Sequence, residues 1–408
     1  MFARHMRARV ERALGDTPAV LVAGARQVGK STLVKLIRGD GYVTLDRATT
    51  RAGATADPDG FVAGLPTPVA LDEVQRVPDL LLAVKAAIDE RRQAGRFLLT
   101  GSANVLMVPT VADALPGRME IVELWPLSQG EIDGRVDGFV DAVFDQGLGG
   151  WRPGPLARDE LLGRVLRGGF PEVVGRAEDR RDDWFESYLT AVVEREVRDL
   201  SSIGNVAELA TMIQLIAARS GSLFNLADVA RGAQLSHSTA RRYLGLLQAV
   251  FLVVAVPAWA TSMTTRIVKA PKLFLIDSGL TAHLLGIGPR RLAGQPHLTG
   301  PLLEAFAAME LRKQIGWSRT RPHLAHFRSQ RGEEVDVVLE ARGGAVVGVE
   351  VKASATVRAG DFNGLRALAG IAGDRFLRGI LLYTGDEVVA FGRNLVAAPI
   401  HTLWEMDA

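Results

Sequence analysis

Apolar residues come along this chain in short dense runs, and their spacing changes twice. Ala19-Val20-Leu21-Val22-Ala23, Tyr42-Val43-Thr44-Leu45-Asp46, Pro68-Val69-Ala70-Leu71, Arg96-Phe97-Leu98-Leu99-Thr100 and Met119-Glu120-Ile121-Val122-Glu123-Leu124 are too short for helices and predict buried strands. Thr32-Leu33-Val34-Lys35-Leu36-Ile37 has the spacing of a helix. Strands and helices in alternation predict a doubly wound α/β domain, whose parallel sheet opens its ligand crevice at the carboxyl ends of the strands. From about Pro126 the alternation fades into helical periodicity. Trp184 to Leu200 predicts one long amphipathic helix. Asn225 would cap a helix Leu226–Arg231, with a tight turn at 232–236, a second helix Ser238–Leu247 and a strand Val250–Val254 after it. In the last third the period becomes two: Glu334–Glu340 and Val346–Lys352, separated by Gly343-Gly344, predict a hairpin.

A length of 408 residues exceeds one ordinary core. The changes of period divide it into 1–130, 131–295 and 296–408. Hydrophobic residues are 48% and charged residues 23%, the balance of a soluble globular protein. The chain has no cysteine, which excludes disulfides and Cys-based zinc sites. Lys and Arg number 48 against 46 Asp and Glu, so any attraction to nucleic acid must come from local patches. The basic stretch Arg4–Arg12 is amphipathic and lies too close to the first strand for a transit peptide; it predicts a first helix. No run approaches the ~18 apolar residues that span a bilayer. A cytoplasmic protein without a membrane partner is the expectation.

The candidate chemistry begins after the first strand. Gly24-Ala25-Arg26-Gln27-Val28-Gly29-Lys30-Ser31, followed by Thr32, is a complete G-x-x-x-x-G-K-[ST] phosphate-binding loop between a strand and a helix. Its glycines let backbone N–H groups converge on phosphates, Lys30 would sit on the β and γ phosphates, and Ser31 would meet Mg²⁺. The strand ending at Asp72-Glu73 supplies two acids: Asp72 for Mg²⁺, Glu73 to orient and activate water. At the tip of the next strand Thr100, Ser102 and Asn104 are candidate γ-phosphate sensors, of which Ser102 is preferred. Arg118, just before the fifth strand, would reach a neighbouring subunit's γ-phosphate as an arginine finger, and Arg195 is a second candidate. Either one would imply a homo-oligomer, such as a ring.

The helix–turn–helix–strand order over 225–254 is that of a winged helix-turn-helix, in which His237, Ser238, Thr239, Arg241 and Arg242 would meet DNA phosphates or base edges. Winged helices also serve as plain packing modules. In the hairpin, Asp336 faces Glu350, and Lys352 shares a face with Glu350. Two carboxylates with a lysine beside them, and Glu304 from a preceding helix, make a candidate Mg²⁺-dependent phosphodiester-cleaving site. An ordinary surface ion pair has the same Glu-x-Lys spacing.

These motifs, together with Leu71-Asp72-Glu73-Val74-Gln75, Leu99-Thr100-Gly101-Ser102, Gly117-Arg118, Gly168-Gly169-Phe170-Pro171-Glu172 and Val349-Glu350-Val351-Lys352, run through nearly the whole sequence. The chain resembles the bacterial and archaeal AAA-superfamily ATPases that join a P-loop domain to a C-terminal domain of unknown function with a restriction-endonuclease-like, PD-(D/E)xK signature. Ala25 stands where that family usually has proline and Ser31 where it usually has threonine. The resemblance implies a P-loop domain, a helical and winged-helix middle region, and a nuclease-like α/β domain. It implies ATP and Mg²⁺ as ligands. The leading expectation is an ATPase acting on DNA, whose turnover drives translocation or remodelling and whose last domain binds DNA and keeps the parts for cutting it. Two others stay open: a nucleotide-driven switch with a structural nuclease-like domain, and a phosphodiesterase whose ATPase domain assembles subunits.

Overall fold

The computed structural model of the chain describes residues 1–101, 117–192 and 206–406. They form two compact units. One comprises residues 3–126 with 249–252; the other comprises 1–2, 127–248 and 253–408.

In the first unit, strands β1 (Ala19–Ala23), β2 (Tyr42–Thr44), β3 (Val69–Asp72), β4 (Phe97–Gly101) and β5 (Met119–Glu123) form one sheet in the order β2-β3-β4-β1-β5. Every pairing is parallel. β1, β3 and β4 are buried along their whole length, as their continuous apolar runs require of strands covered on both faces. The first helix, α1 (Met6–Leu14), buries Met6, Val10, Ala13 and Leu14 at helical spacing. The helix after the loop, α2, spans Lys30–Ile37. Because the strands are parallel, the carboxyl ends of β1 and β3 lie on the same edge of the sheet. Gly24, Asp72 and Glu73 are therefore neighbours in space.

In the second unit, α3 (Val206–Ala218), α4 (Leu226–Gly232) and α5 (His237–Ala249) precede a two-stranded antiparallel ribbon of β6 (Val253–Val256) and β7 (Lys272–Leu275). Asn225 caps α4, accepting from the N–H groups of Ala227 and Asp228 at 3.0 and 3.4 Å. The expected strand at 250–254 starts later. α5 runs on through Ala249, and Phe251 turns the chain with φ +61°, so the extended segment begins at Val253. Between α3 and α4, Leu223 forms an antiparallel bridge to Lys272, adding a third, minimal rung to the ribbon.

The same unit holds a six-stranded mixed sheet. Its strands are β8 (His323–Arg328), β9 (Glu334–Glu340), β10 (Val346–Lys352), β11 (Phe376–Tyr383), β12 (Val389–Ala390) and β13 (Leu395–Pro399), in the order β12-β13-β11-β10-β9-β8. β9 and β10 are the expected antiparallel hairpin, with Val337 opposite Val349, while β10 and β11 are parallel. Helix α6 (Thr299–Ile315) and helix α7 (Asn363–Ala372) both pack on β10. Leu365 and Leu368 of α7 join Trp259, Phe327, Val335, Val338, Val346 and Leu381 in one apolar cluster. Burial on this scale, roughly 1.5–3 kcal/mol for each large side chain, is what holds sheet and helix together. Among the described residues no helix is long and apolar enough to cross a membrane.

Candidate functional site

The phosphate loop owes its shape to two glycines. A Cβ on Gly24 would stand 2.2 Å from the carbonyl oxygen of Leu124, so no larger residue fits where the loop leaves β1. Gly29, with φ +96°, turns the chain into α2 in a conformation that costs any residue with a Cβ. Inside the curve, Lys30 is 5% exposed and its ammonium donates to the carbonyls of Gly24 (2.9 Å) and Ala25 (2.7 Å). Arg4 steadies the loop from outside. Its guanidinium donates to Val28 O at 2.5 Å and Trp125 O at 2.7 Å, tying the N-terminal segment to the loop and to the end of β5.

Asp72, at the tip of β3, is buried and gathers three hydroxyls. Ser31 Oγ lies 2.9 and 3.0 Å from its two oxygens, Tyr42 donates at 2.5 Å, and Thr100 donates from β4. Tyr42 is held neutral: burial and the bond to Asp72 raise its pKa well above the usual phenol value. Thr100 also accepts from the backbone N–H of Glu73 at 3.0 Å. Glu73 then leaves the strand in the left-handed conformation (φ +64°, ψ +43°), uncommon for a residue with a side chain and typical of places where geometry is under functional constraint. Burial raises the pKa of its carboxyl above the ordinary glutamate value, against the pull of Lys30.

Ser31 and Asp72 together are hard oxygen donors of the kind Mg²⁺ takes when it keeps most of its shell for water and phosphate. They fit that ion. Thr100, one of three candidates at its strand tip, is bonded into the site; Ser102 and Asn104, like Arg195, lie outside the described residues. Arg118 precedes β5 at the amino end of the sheet, where Ala19 is opposite Met119. That is a strand's length, ~17 Å, from the phosphate loop. Arg118 makes a two-pronged pair with Asp89, at 2.5 and 3.1 Å. Tyr42 and Arg4 are the participants that motif reading missed.

A second cluster lies in the other unit. Asp336 on β9 accepts from the Val351 N–H of β10 at 2.9 Å. Glu350 and Lys352, two apart on β10, pair at 2.9 Å. Glu304 comes from α6. The residue that sequence reasoning did not find is Lys272, the first of β7. Its ammonium, 3% exposed, lies 2.6 Å from Glu304 and 3.3 Å from Asp336. Burial pulls its pKa down, but Asp336 and Glu304 outweigh burial and hold it charged. Burial, with Asp336 beside them, pushes Glu304 and Glu350 up, while Lys272 pulls Glu304 down and Lys352 pulls Glu350 down. Elsewhere in this unit His237, Ser238, Arg241 and Arg242 stand exposed at the start of α5, with Thr239 half-buried. Ser236 caps that helix, accepting from the Thr239 N–H at 3.1 Å.

Strand, glycine loop, helix and a strand-tip acid pair on a parallel sheet define a P-loop nucleoside triphosphatase domain. Comparison with known sequences agrees: residues 16–133 match an AAA domain, 158–291 a domain of unknown function (DUF8612) and 299–403 another (DUF4143). The chain is 31% identical over 359 residues to the uncharacterized protein Rv2008c of Mycobacterium tuberculosis and to the uncharacterized protein Mb2031c of Mycobacterium bovis, covering 86% of this chain and 74% of each relative. It belongs to the family of these two mycobacterial proteins and carries an AAA-type ATPase domain. Among solved structures, the Walker-type ATPase paby2304 of Pyrococcus abyssi is similar with a TM-score of 0.41 and 15% identity, over 70% of this chain and 96% of that one.

Proposed function

We propose that this chain is an Mg²⁺-dependent ATPase that works on DNA, its hydrolysis coupled to DNA binding through the α4–α5 helix pair. The observation that carries the ATPase half is the convergence of Lys30, Ser31, Asp72 and Glu73 at one edge of the sheet. Mg²⁺, held by Ser31 and Asp72, would neutralise charge on the phosphates. Lys30 would add its own charge on the phosphoryl oxygens. Glu73 would orient the attacking water and hold its proton, a task suited by a carboxyl whose pKa burial has raised. In this reading Arg118, distant from its own loop, acts only across a subunit boundary in a homo-oligomer.

The DNA half rests on the exposed His237, Ser238, Arg241 and Arg242 at the start of α5, ahead of a β ribbon as in winged helices. Backbone contact by two arginines gives salt-dependent binding of low sequence preference. ATP turnover measured with no DNA and with single-stranded, duplex and branched DNA tests the whole. Stimulation that disappears in Lys30→Ala and weakens in Arg241→Ala/Arg242→Ala supports it; a rate indifferent to all three DNAs refutes the coupling. A second reading is favoured by Lys272: the carboxylates of the C-terminal domain already hold a cation of the protein's own, so that domain would serve as scaffold or DNA-binding surface without cutting. In that reading the ATPase is a nucleotide-driven switch.

A further inference from the structure

A metal-dependent phosphodiesterase needs carboxylates that face each other across a space where a divalent cation sits. Between Glu304 and Asp336 that space is taken. Lys272 Nζ lies 2.6 Å from Glu304 Oε1 and 3.3 Å from Asp336 Oδ1, while the other oxygen of Asp336 accepts from Val351 N at 2.9 Å. Glu350 gives Oε1 to Lys352 at 2.9 Å, and its Oε2 is buried without a hydrogen-bond partner. A divalent cation asks for about six oxygen ligands at short range. Among the described residues no group of three or more His, Asp or Glu is arranged to hold one. These residues do not fit a resident metal.

The backbone position of Lys272 is set by strand pairing. It opens β7, pairs with Val256 of β6, and is bridged on its other side to Leu223. Its Cα is held on two flanks, and its side chain ends between the acids of α6 and β9. Without it, the two carboxylates would lie together with little water, against both desolvation and repulsion. We infer that Lys272 is a built-in counter-ion standing in for a divalent metal, and that its two ion pairs fasten the β6–β7 ribbon to the C-terminal sheet domain. This inference does not depend on the proposed DNA role.

The test uses the full chain without nucleotide, carrying Asp72→Asn to remove the cation ligand of the phosphate loop, with Mn²⁺ as probe. Bound Mn²⁺ is counted by electron paramagnetic resonance and Tm is measured in parallel. The Asp72→Asn parent is expected to show no Mn²⁺ that Asp336→Asn or Glu350→Gln removes. Adding Lys272→Met is expected to lower Tm by about 5–10 °C, to create one Mn²⁺ site that Asp336→Asn abolishes, and to regain part of the lost Tm with Mn²⁺. In a Glu304→Gln/Asp336→Asn background the same Lys272→Met change should cost under about 2 °C. Mn²⁺ bound by the parent through Asp336 or Glu350 overturns the inference. So does a folded Lys272→Met protein that takes up none, or an equal Tm cost in both backgrounds. Should Lys272→Met alone not fold, folding restored by the two acid-to-amide changes supports the counter-ion role, and failure to restore it overturns that role.

Discussion

Of the lysines buried beside carboxylates in this chain, Lys30 and Lys272 are used in opposite ways. Lys30 is held by carbonyls of its own glycine loop, while the nearby acid, Asp72, is surrounded by hydroxyls. Lys272 is placed directly on its acids. In the first arrangement the ammonium rests on neutral carbonyls and the acid on hydroxyls, partners that phosphate and Mg²⁺ would replace. In the second they neutralise each other, and what remains is a fastening. The lesson is that a lysine near carboxylates has no fixed meaning; the partner it is given decides between chemistry and cohesion.

The comparison breaks most visibly at Glu73. Glu73→Gln keeps the size and the turn but removes the base, and ATP hydrolysis is expected to fall about 10²–10⁴-fold with nucleotide affinity retained. Single-turnover assays with labelled ATP check this. Because burial raises the pKa of Glu73, the acid limb of the wild-type rate should lie above the usual glutamate range. Next in size is a paired substitution of the two lysines. Lys272→Met should destabilise the second unit by about 3–5 kcal/mol by stranding two buried acids. Lys30→Met, which takes a donor from the carbonyls of Gly24 and Ala25, should cost about 1 kcal/mol while ending hydrolysis. Chemical denaturation of both variants decides; equal losses would erase the distinction.

His326 on β8 reads the charge of Lys272 from a short way off. Burial, then Lys272, Lys269 and Arg328, hold its pKa down at about 4, against a backbone bond to Ala270 that raises it. The unfolded chain therefore binds a proton near pH 6.5 that the folded chain refuses until about 4. Stability from this residue is complete above 6.5 and is lost as pH falls toward 4, by up to about 3 kcal/mol. The difference in stability between wild type and His326→Gln, followed from pH 7 to 4, should show that slope; parallel curves would contradict it. The smallest effect is expected at Tyr42→Phe. Removing one hydroxyl from Asp72 leaves Ser31 and Asp72, which would hold Mg²⁺, in place, so turnover at limiting Mg²⁺ should change by about five- to tenfold, roughly 1 kcal/mol. A Mg²⁺ titration of the ATPase rate measures it.

How much of this was legible in the sequence follows from how local each interaction is. The phosphate loop is contiguous, and Asp72-Glu73 ends an unmistakable apolar run, so residue type and order were enough. Tyr42 and Thr100 reach Asp72 only because β2 and β4 flank β3, a strand order no local pattern states. Arg4 grips the loop from 24 positions upstream, where it reads as an ordinary surface arginine of a basic stretch. The acids Asp336 and Glu350 announced themselves through alternation and the turn at Gly343-Gly344. Lys272 did not, being 32 residues from Glu304 and 64 from Asp336 and brought there by the register of a ribbon. Motifs report which groups a site holds. They do not report which distant charge has been sent to meet them.

The place of β1 in its sheet has a consequence for the order of events during synthesis. Of the strands in this sheet β1 is made first, yet both its neighbours come late: Ala19 pairs with Phe97 on one side and Met119 on the other. Its apolar run must wait for roughly eighty further residues before its first partner exists, which at about 5–20 residues per second is several seconds of exposure. Leu124, whose N–H bonds the carbonyl of Ala23 at 2.7 Å where the loop begins, comes later still. A nascent chain released before that residue would carry the whole phosphate-binding motif without the strand that flanks it.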